Sequence, residues 1–408
     1  MGANDDINRR NDIPRTAPAI DVVVAAGLVP APTKASQPLP PGFDDQKPLV
    51  DNWNRQLNQI VEVDLQKDAP ELADPAVRER HRIYCYLLMK LIHRFWNGNK
   101  RGPLGTYPLR GQQKDIAPPP DKPQRYRGDM IDNPGGLRVN WDRYLGHNIA
   151  CLAIDGNGEI MDFDFNHNDL FRSSAEHAEA RMVRRLFSLT NIFDNWQTRL
   201  RRGHNPIANA KPRAASLHDV TLYTSLESCA QCSGVMSLAG VKQIIYLQND
   251  FTAYKIGNIM YNLANRLDVP GPDGKLINIP GAPVPIAASE VGLDEFDLLN
   301  KANREFARKI VAAGEVSDLK GAFFVPENGK PDFDPAITSF LCTDQALKIF
   351  SDGGNRLETM AIEHKNWKPP INVPNASHIL TNEGCLALAQ SFYEYADVEG
   401  YRGSPHKL

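Results

Sequence analysis

The apolar and polar positions between residues 148 and 247 follow two different periods. Alternating or continuous apolar runs predict strands, whereas apolar positions three or four residues apart predict helices. On this pattern we expect strands at 148–154, 159–165, 220–225 and 241–247, and helices at 176–189 and 229–238. The resulting β-β-α-β-α-β order is typical of a three-layer α/β fold.

The second predicted strand also carries two acidic residues. Asp162 and Asp164 alternate with Phe163 and Phe165, as expected of a half-buried strand. A pair of carboxylates can serve acid–base chemistry, but we interpret this pair as the solvated face of the strand.

The regions on either side of this core are predicted to be mainly helical. A long helix is expected from Asp74 to about Trp96, with Pro75 at its first helical position. Beyond the core the pattern predicts helices at 254–267, 294–311, 338–350 and 384–395, and a strand at 322–325. Two stretches rich in proline and glycine, 98–136 and 269–285, are expected to form a long loop and a linker.

These patterns divide the chain into four regions. We expect a disordered N-terminal arm at 1–48 and a helical and loop region at 49–143. The core spans 144–250, and a mainly helical region at 251–408 follows, part of which is available to complete the core.

Composition and charge narrow the class of protein. With 42% hydrophobic and 23% charged residues, and no run of 18 apolar residues, the chain is expected to be a soluble globular protein. Its formal net charge of −3 gives no general reason to expect a membrane or nucleic-acid partner. Only two of the six cysteines have the spacing of metal ligands, which favours a reducing compartment and a cytoplasmic location.

The chemistry is predicted to lie in two short motifs, one His-x-Glu and one Cys-x-x-Cys. His177, Cys229 and Cys232 are three ligands that suit a tetrahedral Zn²⁺ and leave its fourth position open, as in catalytic zinc sites. Glu179 is better placed to move protons than to bind the metal. The alternatives are a structural zinc site, with Cys151 brought in by folding, or coincidence.

Both motifs are expected to start helices. Ser173 and Glu176 have the spacing of a capping box, and Ser228 and Gln231 have the same spacing. The two thiols then share one helix face in a first turn, where the helix dipole favours thiolate.

The segment from about His147 to Asp250 resembles the cytidine and deoxycytidylate deaminase superfamily, in the branch of tRNA adenosine deaminases and guanine deaminases. The resemblance rests on the H-x-E and C-x-x-C motifs, on the strand 162–166 and on the segments 222–229 and 233–236. Asn166 precedes His177 by 11 residues, which is similar to the spacing of a substrate-contacting Asn in that branch. A turn-forming Asn after a strand is the alternative for Asn166.

Two features depart from the family pattern. Ser228 stands where the family usually has proline, and the 52 residues between His177 and Cys229 exceed the usual spacing. The second departure implies an inserted loop, which leaves the chemistry intact but keeps the substrate class open.

The resemblance implies a cytidine deaminase-like α-β-α core with a mixed sheet, one Zn²⁺, and hydrolytic deamination of an adenine-, cytosine- or guanine-type base. In this reaction Glu179 moves the protons and Asn166 contacts the substrate. A nucleic-acid-editing deaminase or toxin acting on single-stranded DNA or RNA is one alternative. A non-enzymatic binding protein with a retained zinc core is another. The expected partner is a nucleobase-containing substrate and not a membrane, while a nucleic acid and a homo-oligomer stay open.

The stretch between the metal-ligand motifs is strongly basic. From Arg181 to Arg213 there are eight basic residues against one acidic residue, a formal charge of +7. One interpretation is a solvated helix face followed by an exposed loop. The other is a loop that reaches the pocket and binds phosphate through Arg199, Arg201 and Arg202.

We predict that neutralising Arg199, Arg201 and Arg202 together lowers kcat/KM for phosphate-bearing substrates and spares a free base or nucleoside. The phosphate interaction is electrostatic, so its loss is largest at low salt, and a polynucleotide is more salt-dependent than a mononucleotide. Rates on a nucleoside and its 5′-monophosphate, measured side by side, test this. An equal loss on both would instead assign the loop to the fold.

Overall fold

A mixed five-stranded sheet lies at the centre of the fold. The computed structural model describes residues 55–96, 148–168, 173–187, 217–253, 255–270, 275–314, 336–370 and 379–403. The predictions for the arm at 1–48, the loop at 98–136, the strand at 322–325 and the three arginines Arg199, Arg201 and Arg202 lie outside these residues.

The first four strands of the sheet come from the predicted core. They are β1 (Ala150–Ile154), β2 (Ile160–Phe165), β3 (Thr221–Thr224) and β4 (Gln243–Tyr246). Strand β1 is antiparallel to both β2 and β3, whereas β3 and β4 are parallel. Each strand falls within its predicted range. All four strands are buried along their whole length, and short apolar runs of this kind indicate buried strands.

The fifth strand comes from the region predicted to be a linker. Strands β5 (Leu267–Pro270) and β6 (Leu276–Ile279) pair antiparallel in a separate two-stranded sheet, and β7 (Val284–Ala287) follows them. Strand β7 pairs in parallel with β4 and completes the order β2-β1-β3-β4-β7. The linker prediction was wrong here because proline is tolerated on an edge strand, and β7 pairs with β4 alone among the described strands.

Helices cover both faces of the sheet, which confirms the predicted three-layer α/β core. Before the sheet come two short helices, α1 (Leu57–Ile60) and α2 (Leu65–Asp68), and the long α3 (Pro75–Arg94), which packs on β1 and β3. On the opposite face, α4 (Ala178–Leu186) packs on β1 and β2, and α5 (Ala230–Ala239) packs on α4. Neighbouring side chains of β3 therefore face different layers. The Tyr223 hydroxyl meets His81 of α3 at 2.7 Å, and Thr224 meets Glu179 of α4 at 3.1 Å.

The C-terminal region is mainly helical, as predicted, and wraps the outer side of α3. Its helices are α6 (Ile256–Leu263), α7 (Asp294–Gly314), α8 (Ile337–Phe340), α9 (Asp344–Thr359) and α10 (Asn382–Gly403). Helix α3 is buried on nearly all sides because α9 and α10 pack against it as well as the sheet. Helix α9 begins later than predicted because the Thr343 hydroxyl accepts a hydrogen bond from the Ala346 N–H and fixes the start. Within the described helices, none has the length and apolar character needed to cross a membrane.

The acidic pair on β2 is buried, so the prediction of a solvated strand face was wrong. Asp162 and Asp164 are fully buried beneath α4. Arg185 Nε lies 2.9 Å from Asp162 Oδ2, and Arg181 Nε lies 3.1 Å from Asp164 Oδ2. Burial raises the pKa of Asp162 to about 7 against the opposing effect of Arg185. These ion pairs attach α4 to β2.

The same contacts change the interpretation of the basic stretch at its described end. Arg181 also binds Glu176 Oε2, and Arg184, whose side chain is 62% exposed, binds Glu176 at 2.9 Å. The solvated helix face was therefore the wrong interpretation for Arg181 and Arg185, and only Arg184 fits it.

We predict that Arg181→Met lowers the free energy of unfolding by about 3 kcal/mol. The substitution removes the cation that lies closest to the buried Asp164 among the described residues. The estimate is at the lower end of such losses because Arg185 Nε remains 3.7 Å from Asp164 Oδ2. Arg184→Met is the matched control on the same helix and is expected to cost under about 1 kcal/mol. Urea unfolding of both variants measures the difference, and equal midpoints would contradict it.

Candidate active site

Two helix starts meet at the candidate site. His177 is the N-cap residue of α4 and Cys229 is the N-cap residue of α5, both with extended backbone. The two capping boxes predicted from Ser173 and Ser228 are absent, because the helices begin after His177 and Cys229 and not after the serines. The side chains of His177 and Cys229 do not cap their helices. The Ser173 hydroxyl accepts a bond from the Ala175 N–H before the helix, and the Ser228 hydroxyl donates to Glu179. The imidazole and the thiol at the N-caps are thus left available as ligands.

The three predicted ligands lie together. His177 Nδ1 is 3.3 Å from Cys229 Sγ and 3.5 Å from Cys232 Sγ, and the two sulfur atoms are 3.7 Å apart. Nitrogen and sulfur ligands bound tetrahedrally to zinc at their usual bond lengths lie roughly 3.5–3.8 Å from each other. The spacing and the donor set of these side chains therefore fit one zinc ion.

The cluster has three members in the part of the chain that the structure describes. Cys151, the candidate for a fourth ligand, is fully buried in β1 and does not join it. Structural zinc sites usually have four protein ligands, whereas three ligands leave a position for water or substrate. Among the described residues, the cluster therefore has three ligands and one open position.

Glu179 lies beside the cluster and is almost completely buried. Its Oε1 accepts hydrogen bonds from the Thr224 hydroxyl at 3.1 Å and from the Ser228 hydroxyl at 3.3 Å. Its Oε2 lies 3.4 Å from Cys232 Sγ. Burial raises the pKa of the Glu179 carboxyl, which brings it closer to the range in which an acid–base group exchanges protons at neutral pH.

Thr224 and Ser228 were not singled out as site residues from the sequence. The only signal was that Ser228 replaces the proline of the resembling family, and it was interpreted as a helix cap. The structure gives Ser228 a different role, because its hydroxyl bonds the Glu179 carboxylate.

The two thiols are electrostatically coupled. The hydrogen bond with Cys232, followed by that with His177, lowers the pKa of Cys229 to about 4. The same bond with Cys229, together with burial, raises the pKa of Cys232. These opposite shifts favour the thiolate form at Cys229 and the thiol form at Cys232, which must release its proton when a metal binds.

Asn166 follows β2 and is buried. Its Oδ1 accepts a hydrogen bond from the Asn168 N–H at 3.0 Å, which is the contact expected of a turn-forming Asn. Its role in substrate contact stays a prediction.

Comparison with known proteins gives limited help. No family model matches the chain, and no curated protein is similar to it. Among solved structures, one from a study of A-to-I editing by tRNA:A34 deaminases at the wobble position of transfer RNA is similar over 34% of this chain. The match covers 82% of that chain at 15% identity, with a TM-score of 0.20. A likeness this small establishes no family for this chain.

We predict about one tightly bound zinc per chain, because three soft ligands are already at coordination spacing. Cys229→Ala is expected to lose most of the metal, whereas Cys85→Ala, a buried cysteine in α3, is expected to keep it. Elemental analysis of the purified variants checks both. A parent without transition metal, or a Cys229→Ala variant with parental content, would refute the site.

Proposed function

We propose that the protein catalyses the zinc-dependent hydrolytic deamination of an amino-substituted nucleobase, releasing ammonia. The observation that carries the proposal is the buried Glu179 beside a cluster of three metal-ligating side chains. The reaction consumes one water and replaces the amino group of the ring with an oxygen. The amino group leaves as ammonia. It requires a group that moves protons between the water, the ring nitrogen and the leaving amine.

His177, Cys229 and Cys232 would hold the zinc. When bound, the metal supplies Lewis acidity that lowers the pKa of a water to about 7. The ligand set is soft, which favours zinc over magnesium or calcium.

The two oxygens of Glu179 have different surroundings and different roles. Oε1 is held by Thr224 and Ser228, which fixes the orientation of the carboxylate. Oε2 faces the ligand cluster at Cys232. It is the oxygen that takes one proton from the attacking water and passes it to the ring nitrogen. It then takes the second proton, from the new hydroxyl, and passes it to the leaving amine.

The two helix starts contribute to the same reaction. The first N–H groups of α4 and α5 have no carbonyl partner within their own helices, and these ends carry the positive end of the helix dipole. Because both helices begin at ligand residues, these groups favour negative charge developing on the ring and its new oxygen.

The arrangement does not distinguish among adenine, cytosine and guanine, because each of these rings carries an amino group on a ring carbon. Editing of single-stranded DNA or RNA stands as an alternative, carried by Arg199, Arg201 and Arg202 outside the described residues. The described end of the basic stretch supports that alternative less, because Arg181, Arg184 and Arg185 are paired with carboxylates. A purely structural or binding role is opposed by Glu179, since a site that only held zinc gains nothing from a buried carboxyl next to a thiolate.

We predict that Glu179→Ala keeps zinc and fold but lowers the deamination rate by about 10²–10⁴-fold, the usual contribution of a positioned acid–base group. Ser228→Ala, which removes one of the hydrogen bonds to Oε1, is expected to lower the rate by roughly tenfold. Mass spectrometry of free bases, nucleosides, nucleotides, single-stranded DNA and RNA incubated with zinc-loaded protein identifies the substrate and measures both effects.

Circular dichroism and zinc content are the controls, because they separate loss of chemistry from loss of structure. A Glu179→Ala variant with near-parental rate would refute the role of the carboxyl. Absence of deamination on every compound of the panel would refute the proposed reaction.

A further inference from the structure

A cavity of about 450 Å³ lies on the other side of the sheet from Glu179. It is bounded by α3, by Trp367 and the two prolines that follow it, and by the ends of β1, β3 and β4. Those are the ends at Ile154, Thr221 and Gln243, whereas the metal ligands follow the opposite end of β3. The cavity is therefore separate from the candidate active site, and its volume is in the range of small-molecule sites.

Arg80 is the residue that gives this cavity its chemistry. Its side chain lines the cavity, and the residue is only 7% exposed. The guanidinium donates to Asn382 Oδ1 at 3.1 Å and to the Leu380 carbonyl, and it lies over the Trp367 ring at 5.0 Å. All of these partners are uncharged.

In the described chain no carboxylate lies within ion-pair distance of Arg80. Buried arginines are almost always paired with an anion, because an isolated charge is costly to remove from water. A buried guanidinium with no carboxylate in direct contact, at the wall of a cavity, is suited to pair with the anionic group of a ligand.

The nearest buried carboxylate is that of Glu79, which reaches the guanidinium only through the Asn382 amide: Asn382 Nδ2 donates to Glu79 Oε2 at 3.0 Å. The other charged groups around the cavity lie closer to solvent. Lys242 pairs with Glu71 at 3.2 Å near the solvent, where both side chains are partly exposed. Asp155 is half-buried and its Oδ1 accepts bonds from two N–H groups of its own turn, while Asp219 is exposed. The exposed Asp219 carboxylate is screened by water and salt, and Oδ1 of Asp155 is engaged by its own turn, so neither is an ion-pair partner of the buried guanidinium.

The remaining walls suit the body of an organic molecule. Val77, Ile154 and Pro369 contribute apolar surface, and Tyr84 and Tyr223 contribute aromatic rings. His81 binds the Tyr223 hydroxyl through Nδ1, and burial together with Lys242 and Arg80 lowers the pKa of His81 to about 3. The imidazole is therefore neutral and adds a polar contact without a charge.

We propose that this cavity is a second ligand site, which binds a small organic anion with a planar apolar body. The carboxylate or phosphate of the ligand pairs with Arg80, and its body packs against the aromatic and aliphatic walls. The site does not depend on the proposed deamination, since none of its residues belongs to the zinc cluster.

Titration calorimetry with three matched compounds tests the proposal on zinc-loaded protein. 1-Naphthoate is the anionic probe, 1-naphthamide is its neutral counterpart, and 1-naphthyl phosphate carries a different anion. We expect 1-naphthoate or 1-naphthyl phosphate to bind at least about tenfold more tightly than 1-naphthamide, and the better of the two identifies the anion. Equal binding of all three compounds, or binding of none, would overturn the proposal.

Variants place the binding in this cavity. Arg80→Lys keeps the charge and is expected to retain the preference for the anion, whereas Arg80→Met is expected to lose it. Val77→Phe fills the cavity without touching the charge and is expected to weaken binding at least about tenfold, so the test stands even where Arg80→Met fails to fold. Cys229→Ala is expected to bind as the parent does. Loss of binding in Cys229→Ala with parental binding in Val77→Phe would assign the anion to the zinc centre and refute the cavity.

Discussion

The proposed chemistry depends on two helices whose N-terminal ends lie next to each other. His177 and Cys229 are 52 residues apart in sequence, yet their ligand atoms lie 3.3 Å apart. Each ligand is the N-cap residue of its helix, so the position of the helix start sets the position of the ligand. The packing of α4 and α5 on one face of the sheet is therefore the condition for metal binding.

The buried ion pairs on β2 hold α4 in the position that this packing requires. Arg181 connects Asp164 of the strand to Glu176, the residue immediately before His177. Arg185 connects the next turn of the helix to Asp162. Buried pairs of this kind add little net stability compared with apolar packing, but they favour one arrangement of the groups over others. Here the favoured arrangement is the one that brings the start of α4 to the start of α5.

The sequence predicts the parts of this structure that local patterns encode. The ligand set follows from two short motifs, and the four strands follow from apolar runs and from the alternation within β2. Strand β7 was missed because Pro285 signals a loop, and only the pairing with β4 makes it a strand. The burial of Asp162 and Asp164 was missed because their cationic partners lie 23 and 17 residues away. The Ser228 contact was missed for a similar reason, since Glu179 is 49 residues distant.

The surroundings of Glu179 also favour the proposed catalytic role of the site over a structural one. A buried carboxyl loses hydration, and the hydroxyls of Thr224 and Ser228 restore only part of it. The nearest sulfur belongs to Cys232, which must be a thiolate when metal is bound, and a like charge at 3.4 Å makes the carboxylate less stable still. Glutamine in this position would keep the hydrogen bonds and remove the repulsion. A carboxyl held against these costs is explained by a reaction that needs its proton, because a site that only bound zinc would be more stable without it.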